Sequence, residues 1–117
     1  MPHTLALDGD PIDVLVVGPA AVVPGAVVRC RPIGALMMED EQGPDEKIVA
    51  VPVDELHAFY TGVRSYRDLP PILCDQIAHF FSHYKDLEAS KWVNIARWAD
   101  ADEAAALIAA AIARAAG

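Results

Sequence analysis

The chain has 117 residues, a formal net charge of −8 at pH 7, 54% hydrophobic residues and 22% charged residues. This composition is typical of a globular protein with one modest hydrophobic core, and it disfavours intrinsic disorder. The acidic balance also disfavours nucleic acid and anionic membranes as partners, because both attract basic surfaces.

In chain order, the first predicted elements are strands. β-branched runs predict strands over 12–17, 26–38 and 48–53, with the second strand bent at Pro32 and Gly34. Asp54 is the predicted N-cap of a short helical turn that runs through Tyr60. Strands that precede helices in this way favour an α+β fold.

Two longer helices and a fourth strand follow. Pro70 and Pro71 open a helix whose apolar residues recur at helical spacing, namely Leu73, Ile77, Phe80 and Tyr84. The fourth strand is predicted over 91–98. Asp100, with Glu103 three residues later, resembles a capping box at the start of the alanine-rich C-terminal helix. The apolar stripe of that helix comprises Leu107, Ile108, Ala111, Ile112 and Ala115.

Two acidic blocks, at 8–13 and 39–46, adjoin the predicted strands, and Lys47 follows the second block at once. Crowded carboxylates repel one another unless a cation holds them, and hard divalent cations prefer several oxygen ligands. The adjacent lysine suggests a phosphate-like anion as well. Either block alone is more commonly a polar turn or a solvated hairpin loop, but together they favour a magnesium-and-phosphate site. An EF-hand is excluded, because its glycine and glutamate positions are not matched.

Seven short motifs follow one another along the chain. They are DGDPIDVLV at 8–16, CRPIG at 30–34, MEDE at 38–41, DEK at 45–47, QIAHFF at 76–81, HYKDLE at 83–88 and KWV at 91–93. Their order is that of family I soluble inorganic pyrophosphatases, and the chain resembles that family from His3 to the C-terminal helix. The resemblance implies an OB-like five-stranded β-barrel, incomplete here and flanked by α-helices. It also implies that residues 1–117 are one pyrophosphatase domain that lacks the family's usual N-terminal segment.

The same resemblance implies roles for eight residues. The implied metal ligands are Asp8, Asp13, Asp40 and Asp45, the implied general base is Asp10, and the implied phosphate contacts are Lys47, Tyr84 and Lys85. The residues alone leave simpler alternatives open for the last three. Lys47 could be a loop charge paired with Asp45, Tyr84 a core-edge residue, and Lys85 a surface lysine near a helix end.

The activity implied by the resemblance is Mg²⁺-dependent hydrolysis of inorganic diphosphate to two phosphates by metal-activated water. The implied protein is a cytoplasmic homo-oligomer, commonly a hexamer in bacteria. One alternative is a catalytically impaired, metal-binding fragment that acts, if at all, by association with other subunits. A weaker alternative is an interaction domain that uses the alanine-rich helix.

Cys30 and Cys74 are predicted to be buried free thiols, which is consistent with a reducing cytoplasm, and no signal peptide is visible. His79 and His83 stand four residues apart, but packing or helix-end hydrogen bonding is favoured over metal binding because no third ligand accompanies them.

Aromatic and basic residues near the predicted strands carry weaker expectations. Trp92 and Trp98 are predicted to fill the core. Arg29 and Arg31 share one face of an extended strand, where they would either steer phosphate or form salt bridges with carboxylates.

Overall fold

The computed structural model describes residues 1–117 and contains a five-stranded sheet, two α-helices and two short 3₁₀-helices. The strands are β1 Asp13–Val16, β2 Cys30–Asp40, β3 Gly43–Pro44, β4 Lys47–Pro52 and β5 Val93–Asp100. The 3₁₀-helices are Ala58–Tyr60 and Tyr66–Asp68, and the α-helices are α1 Pro71–His83 and α2 Ala101–Ala116. The predicted α+β class is confirmed. Neither α-helix combines the length and apolar character needed to cross a bilayer.

The sheet is built around β2. It pairs antiparallel with β3, β4 and β5, while β1 lies parallel to the other edge of β4. The pairing register shifts between Pro32 and Gly34 and again between Met37 and Met38, and such bulges bend and twist a strand. The bent sheet forms a half-barrel in which β1 and β5 each have only one strand neighbour. The predicted incomplete, OB-like barrel with flanking helices is confirmed.

Alternate side chains of β4 point to opposite faces of the sheet. Each face packs against one α-helix. Ile48 belongs to a buried cluster that includes Ala104 and Ala111 of α2. Val49 and Val51 belong to a second cluster, against which side chains of α1 pack. All six residues of β4 are buried, and this strand therefore lies at the centre of the molecule.

On the α2 face, part of the sheet remains uncovered beside the helix. A cavity of about 900 Å³ lies there, lined by Val14 and Val16 of β1, Ile48 and Ala50 of β4, and Ile108 of α2. The loop between β1 and β2 completes the wall. The open half-barrel thus exposes an apolar trough on the face opposite α1.

Several local expectations are wrong. β2 begins at Cys30 rather than at residue 26, because the preceding residues continue the Pro-Gly loop. The first 3₁₀-helix begins at Ala58 and is capped by His57, whereas Asp54 lies 3.6 Å from Arg31 in a salt bridge.

The expected roles of Trp92 and Glu103 are also wrong. Trp92 precedes β5 and is 49% exposed, whereas Trp98 stacks on Tyr66 and packs, as a core residue would, against the cluster that includes Val49 and Val51. Glu103 binds Arg97 at 2.7 Å instead of completing a capping box, and Asp100 caps α2 alone.

Gly34 lies at the bulge of β2, where the chain leaves no room for a side chain. A Cβ atom there would stand 2.8 Å from the Ala99 carbonyl oxygen and 3.0 Å from two Tyr66 side-chain atoms. Gly34→Ala is expected to lower the free energy of unfolding by about 1–3 kcal/mol, because the backbone must shift. Gly62→Ala is the control, since no heavy atom lies within 4 Å of its added Cβ. Equal urea midpoints for the two variants would contradict the prediction.

Candidate active site

Lys47 lies at the centre of the candidate site. It opens β4 directly opposite Asp13 of β1 in the parallel register. Its Nζ lies 2.7 Å from Asp13 Oδ2 and 3.0 Å from each carboxylate oxygen of Asp45. Lys47 and Asp45 are buried, whereas the Asp13 side chain is 66% exposed. One ammonium therefore joins carboxylates from two segments at the border between core and solvent.

A second lysine, just beyond the end of α1, contacts the acidic loop formed by residues 39–46. Lys85, which follows α1, places its Nζ 2.7 Å from Asp40 Oδ2 and 3.5 Å from Glu41 Oε1. The Asp45 backbone N–H donates to the Met38 carbonyl at 2.9 Å and holds the loop against β2. The loop between β2 and β4 is thereby connected to the end of α1.

The carboxylates of Asp40 and Asp45 interact and titrate differently. Burial raises the pKa of Asp45, and the negative charges of Asp40 and Asp8 add to this effect, although Lys47 opposes it. Burial alone would raise the pKa of Asp40, but hydrogen bonding, chiefly from Lys85, holds that pKa below its ordinary value. Asp8, Asp40 and Asp45 therefore share one electrostatic environment.

The pairing of Asp40 with Lys85 predicts a pH-dependent stability. Since Asp40 has a lowered pKa in the folded protein, its contribution is present above the unfolded value of 3.8 and is lost as the pH falls through the folded value. Lys85→Gln removes the main cause, and is expected to lower the free energy of unfolding by about 1–3 kcal/mol near neutral pH. The difference from wild type should shrink as the pH falls below 3.8.

Urea unfolding between about pH 2 and about pH 8 measures this difference. Lys91→Gln is the matched control, because Lys91 forms an exposed pair with Glu88 at 2.8 Å. A Lys85→Gln effect that stays constant across the acid range would contradict the prediction.

The loop before β1 supplies the remaining predicted aspartates. The Asp10 backbone N–H donates to Asp8 Oδ1 at 3.0 Å around Gly9, whose φ of +93° suits this turn. The Thr4 hydroxyl accepts a hydrogen bond from the Ile12 backbone N–H at 3.0 Å and anchors the end of the loop. Asp10 itself is exposed. Its side chain is therefore open to solvent.

The donor set suits a hard divalent cation. Carboxylate oxygens are the ligands that Mg²⁺ prefers, and they come here from three segments, through Asp8, Asp10, Asp13, Asp40 and Asp45. No three His, Cys, Asp or Glu side chains are arranged to hold a metal ion in their present positions. The ammonium groups of Lys47 and Lys85 instead occupy oxygens of three predicted ligands. The carboxylate oxygens of these residues are of the kind that Mg²⁺ prefers. In this structure the ammonium groups of the two lysines offset the negative charge of three of the carboxylates.

Tyr84 lies beside both lysines. A cavity of about 300 Å³ is lined by seven residues, including Asp13, Lys47, Phe81 and Tyr84. Lys47 Nζ lies 5.5 Å from the Phe81 ring centre and 5.9 Å from that of Tyr84, and Lys85 Nζ lies 5.5 Å from the latter. The structure thus places Lys47 and Tyr84 in the lining of one small cavity, and it places Lys85 beside Tyr84 but not in that lining.

Two neighbours of the site were not identified from the sequence. Phe81 lines the cavity and contacts the Tyr84 ring edge to face, with ring centres 5.6 Å apart. Its position three residues before Tyr84 would have placed it on the same helical face. Glu41 contacts Lys85 and accepts a hydrogen bond from the Trp92 backbone N–H at 3.4 Å. Its membership of the acidic block was the available indication.

Other polar candidates lie away from this cavity. Arg31 donates to the backbone carbonyls of Tyr60 and Val63 and pairs with Asp54, which supports the salt-bridge alternative. His83 Nδ1 lies 2.8 Å from Asp86 Oδ2, as expected for a histidine that forms hydrogen bonds at a helix end. Both cysteines are free thiols, as predicted, but they are half-buried rather than buried.

The fold and the site define an α+β half-barrel with carboxylates and lysines at one sheet edge. A family model described as inorganic pyrophosphatase matches residues 1–116. Inorganic pyrophosphatases of Caulobacter vibrioides and Gluconobacter oxydans are 68% and 56% identical over 97% and 98% of this chain. The chain belongs to the inorganic pyrophosphatase family.

The similarity extends to solved structures. An inorganic phosphatase from Anaplasma phagocytophilum matches with a TM-score of 0.97 and 48% identity, and an inorganic pyrophosphatase from Helicobacter pylori with 0.95 and 41%. Each match covers 99% of this chain and 68% of the other. The chain spans 64% and 66% of the Caulobacter and Gluconobacter proteins, which is slightly less than two thirds of their length.

Proposed function

We propose that this protein hydrolyses inorganic diphosphate to two phosphates and requires Mg²⁺. The observation that carries the proposal is that Lys47 and Tyr84 line one cavity and Lys85 lies beside Tyr84, while aspartates on neighbouring segments contact both lysines. Ammonium and phenol groups donate hydrogen bonds to phosphate oxygens, while carboxylates hold the cations that a polyanionic substrate needs on an acidic protein. Membership of the inorganic pyrophosphatase family supports the same reaction.

The proposed roles divide between cation binding, proton transfer and substrate binding. When bound, Mg²⁺ lowers the pKa of coordinated water and offsets the charge of phosphate. The proposed Mg²⁺ ligands are Asp8, Asp13, Asp40 and Asp45. Asp10 is the proposed general base, because its exposed carboxylate is free to accept a proton from the attacking water. Lys47, Tyr84 and Lys85 hold and orient the phosphate groups.

The wider setting is also proposed. Residues 1–117 form one pyrophosphatase domain of a cytoplasmic homo-oligomer, a hexamer by family resemblance, which binds neither nucleic acid nor membrane. The net charge of −8 supports the last point, because both of those partners favour basic surfaces. The two free cysteines are consistent with a reducing compartment.

Phosphate release from diphosphate by the purified 117-residue chain tests the function, with Mg²⁺ and with a chelator in its place. Release that depends on Mg²⁺ is the expected result. Circular dichroism in both conditions shows whether the chain is folded. No release from folded protein would contradict the proposal for this chain and favour a catalytically impaired, metal-binding fragment that acts only with other subunits.

A further inference from the structure

Both lysines of the site are bound to predicted metal ligands rather than directed into open solvent. Lys47 contacts three carboxylate oxygens at 2.7, 3.0 and 3.0 Å, which matches the three donors of an ammonium group. Lys85 contacts Asp40 Oδ2 at 2.7 Å, and its side chain is 14% exposed. The two ammonium groups therefore contact both oxygens of Asp45 and one oxygen each of Asp13 and Asp40.

A lysine and a metal ion compete for the charge of these carboxylates. Mg²⁺ requires oxygens at about 2.0–2.1 Å in a nearly octahedral arrangement. A cation at that distance from Asp45 would also lie close to the Lys47 ammonium, in a buried place where like charges repel strongly. The same holds for Asp40 and Lys85, because the Asp40 side chain is only 6% exposed. Close approach of a cation to Asp45 or Asp40 therefore favours departure of the ammonium group.

Aromatic rings lie close to both ammonium groups and can receive them when they leave the carboxylates. Lys47 Nζ already faces the rings of Phe81 and Tyr84 across the 300 Å³ cavity, and Lys85 Nζ lies 5.5 Å from the Tyr84 ring. Aromatic faces attract cations, so these rings can hold a lysine that has lost its carboxylate. From that position Lys47 is free to donate to an anion in the cavity, and Lys85 is free to donate to one beside Tyr84.

We propose that Lys47 and Lys85 are internal counter-ions that hold the carboxylates together without metal and are exchanged for divalent cations, which releases them to bind phosphate. This inference rests on the proposed function and adds an order of events to it. The lysines oppose cation binding, and the release of their ammonium groups couples the metal site to the anion site. By linkage, an anion that binds the released lysines favours cation binding to the same extent.

Calorimetric titration with Mg²⁺ alone, without any phosphate, tests the exchange. Lys47→Gln and Lys85→Gln are each expected to bind Mg²⁺ about tenfold more tightly than wild type, since a charge-assisted hydrogen bond no longer has to be broken. Lys47→Arg keeps the competing charge and is expected to bind like wild type. Lys91→Gln removes an equal charge close to the acidic loop but away from the predicted ligands, and is expected to change the affinity little.

The outcomes separate this inference from the proposed function. Mg²⁺ binding to wild type with unchanged or weaker binding to both glutamine variants would overturn the exchange and leave the function standing. Equal tightening in Lys91→Gln would also overturn it, because a general charge effect would then suffice. Absence of Mg²⁺ binding in every variant would overturn both.

Lys47→Gln leaves the buried Asp45 without its partner and could unfold the chain. Circular dichroism with and without Mg²⁺ then supplies the readout for this variant. Recovery of the folded signal on addition of Mg²⁺ supports the exchange. Failure to recover, together with unchanged affinity in Lys85→Gln, overturns it.

Discussion

Replacing Asp10 by asparagine is expected to lower Mg²⁺-dependent phosphate release from diphosphate by about 10²–10⁴-fold. An amide has the shape of the carboxylate but cannot accept a proton from water. The fold should be unaffected, because the Asp10 side chain is exposed and the hydrogen bond from Asp10 to Asp8 uses the backbone N–H. The expected loss is therefore in kcat, with KM and the thermal midpoint close to those of wild type.

The same substitution at Asp102, Asp102→Asn, is the matched control, since this exposed residue lies in the first turn of α2. It should leave turnover unchanged. A loss of less than about threefold in Asp10→Asn would contradict the role of general base, which is worth far more in other enzymes. A rise in KM at unchanged kcat would instead indicate that Asp10 contributes to binding.

The largest expected effect on stability is at Ile33. This residue of β2 is 0% exposed and packs in the cluster that includes Val49, Val51 and Leu69. Ile33→Ala is expected to lower the free energy of unfolding by about 2–5 kcal/mol, because it removes buried methyl groups and leaves a cavity. Since domains of this size are only marginally stable, such a loss would unfold a substantial fraction of the protein at elevated temperature.

Ile72→Ala makes the same chemical change on the first turn of α1, where the side chain is 64% exposed. Its effect is expected to stay within about 0.5 kcal/mol. Urea unfolding of both variants provides the comparison. Equal midpoints would show that the Ile33 cluster does not stabilise this chain as its burial indicates.

Most of the elements could be predicted from local patterns. β-branched runs located strands to within a few residues, apart from the early start assigned to β2, because β-branched side chains pack well on a pleated sheet. The Pro70–Pro71 start of α1 was also confirmed, since proline fits the first turn of a helix. The wrong assignments at Asp54 and Trp92 concern residues whose roles depend on distant partners. The residues next to them in the chain do not indicate which distant residues they contact.

The sequence by itself determined the order of strands and helices, the acidic blocks and the family, because each depends on residues close together along the chain. Only the tertiary structure decided which charges meet. Lys47 contacts Asp13, 34 residues away, because β1 lies parallel to β4 in the register that sets these two residues opposite each other. Lys85 reaches Asp40, 45 residues away, because α1 packs against the sheet. Strand register and helix packing are fixed by burial of the whole core, and the pairing of each lysine is a consequence of that burial.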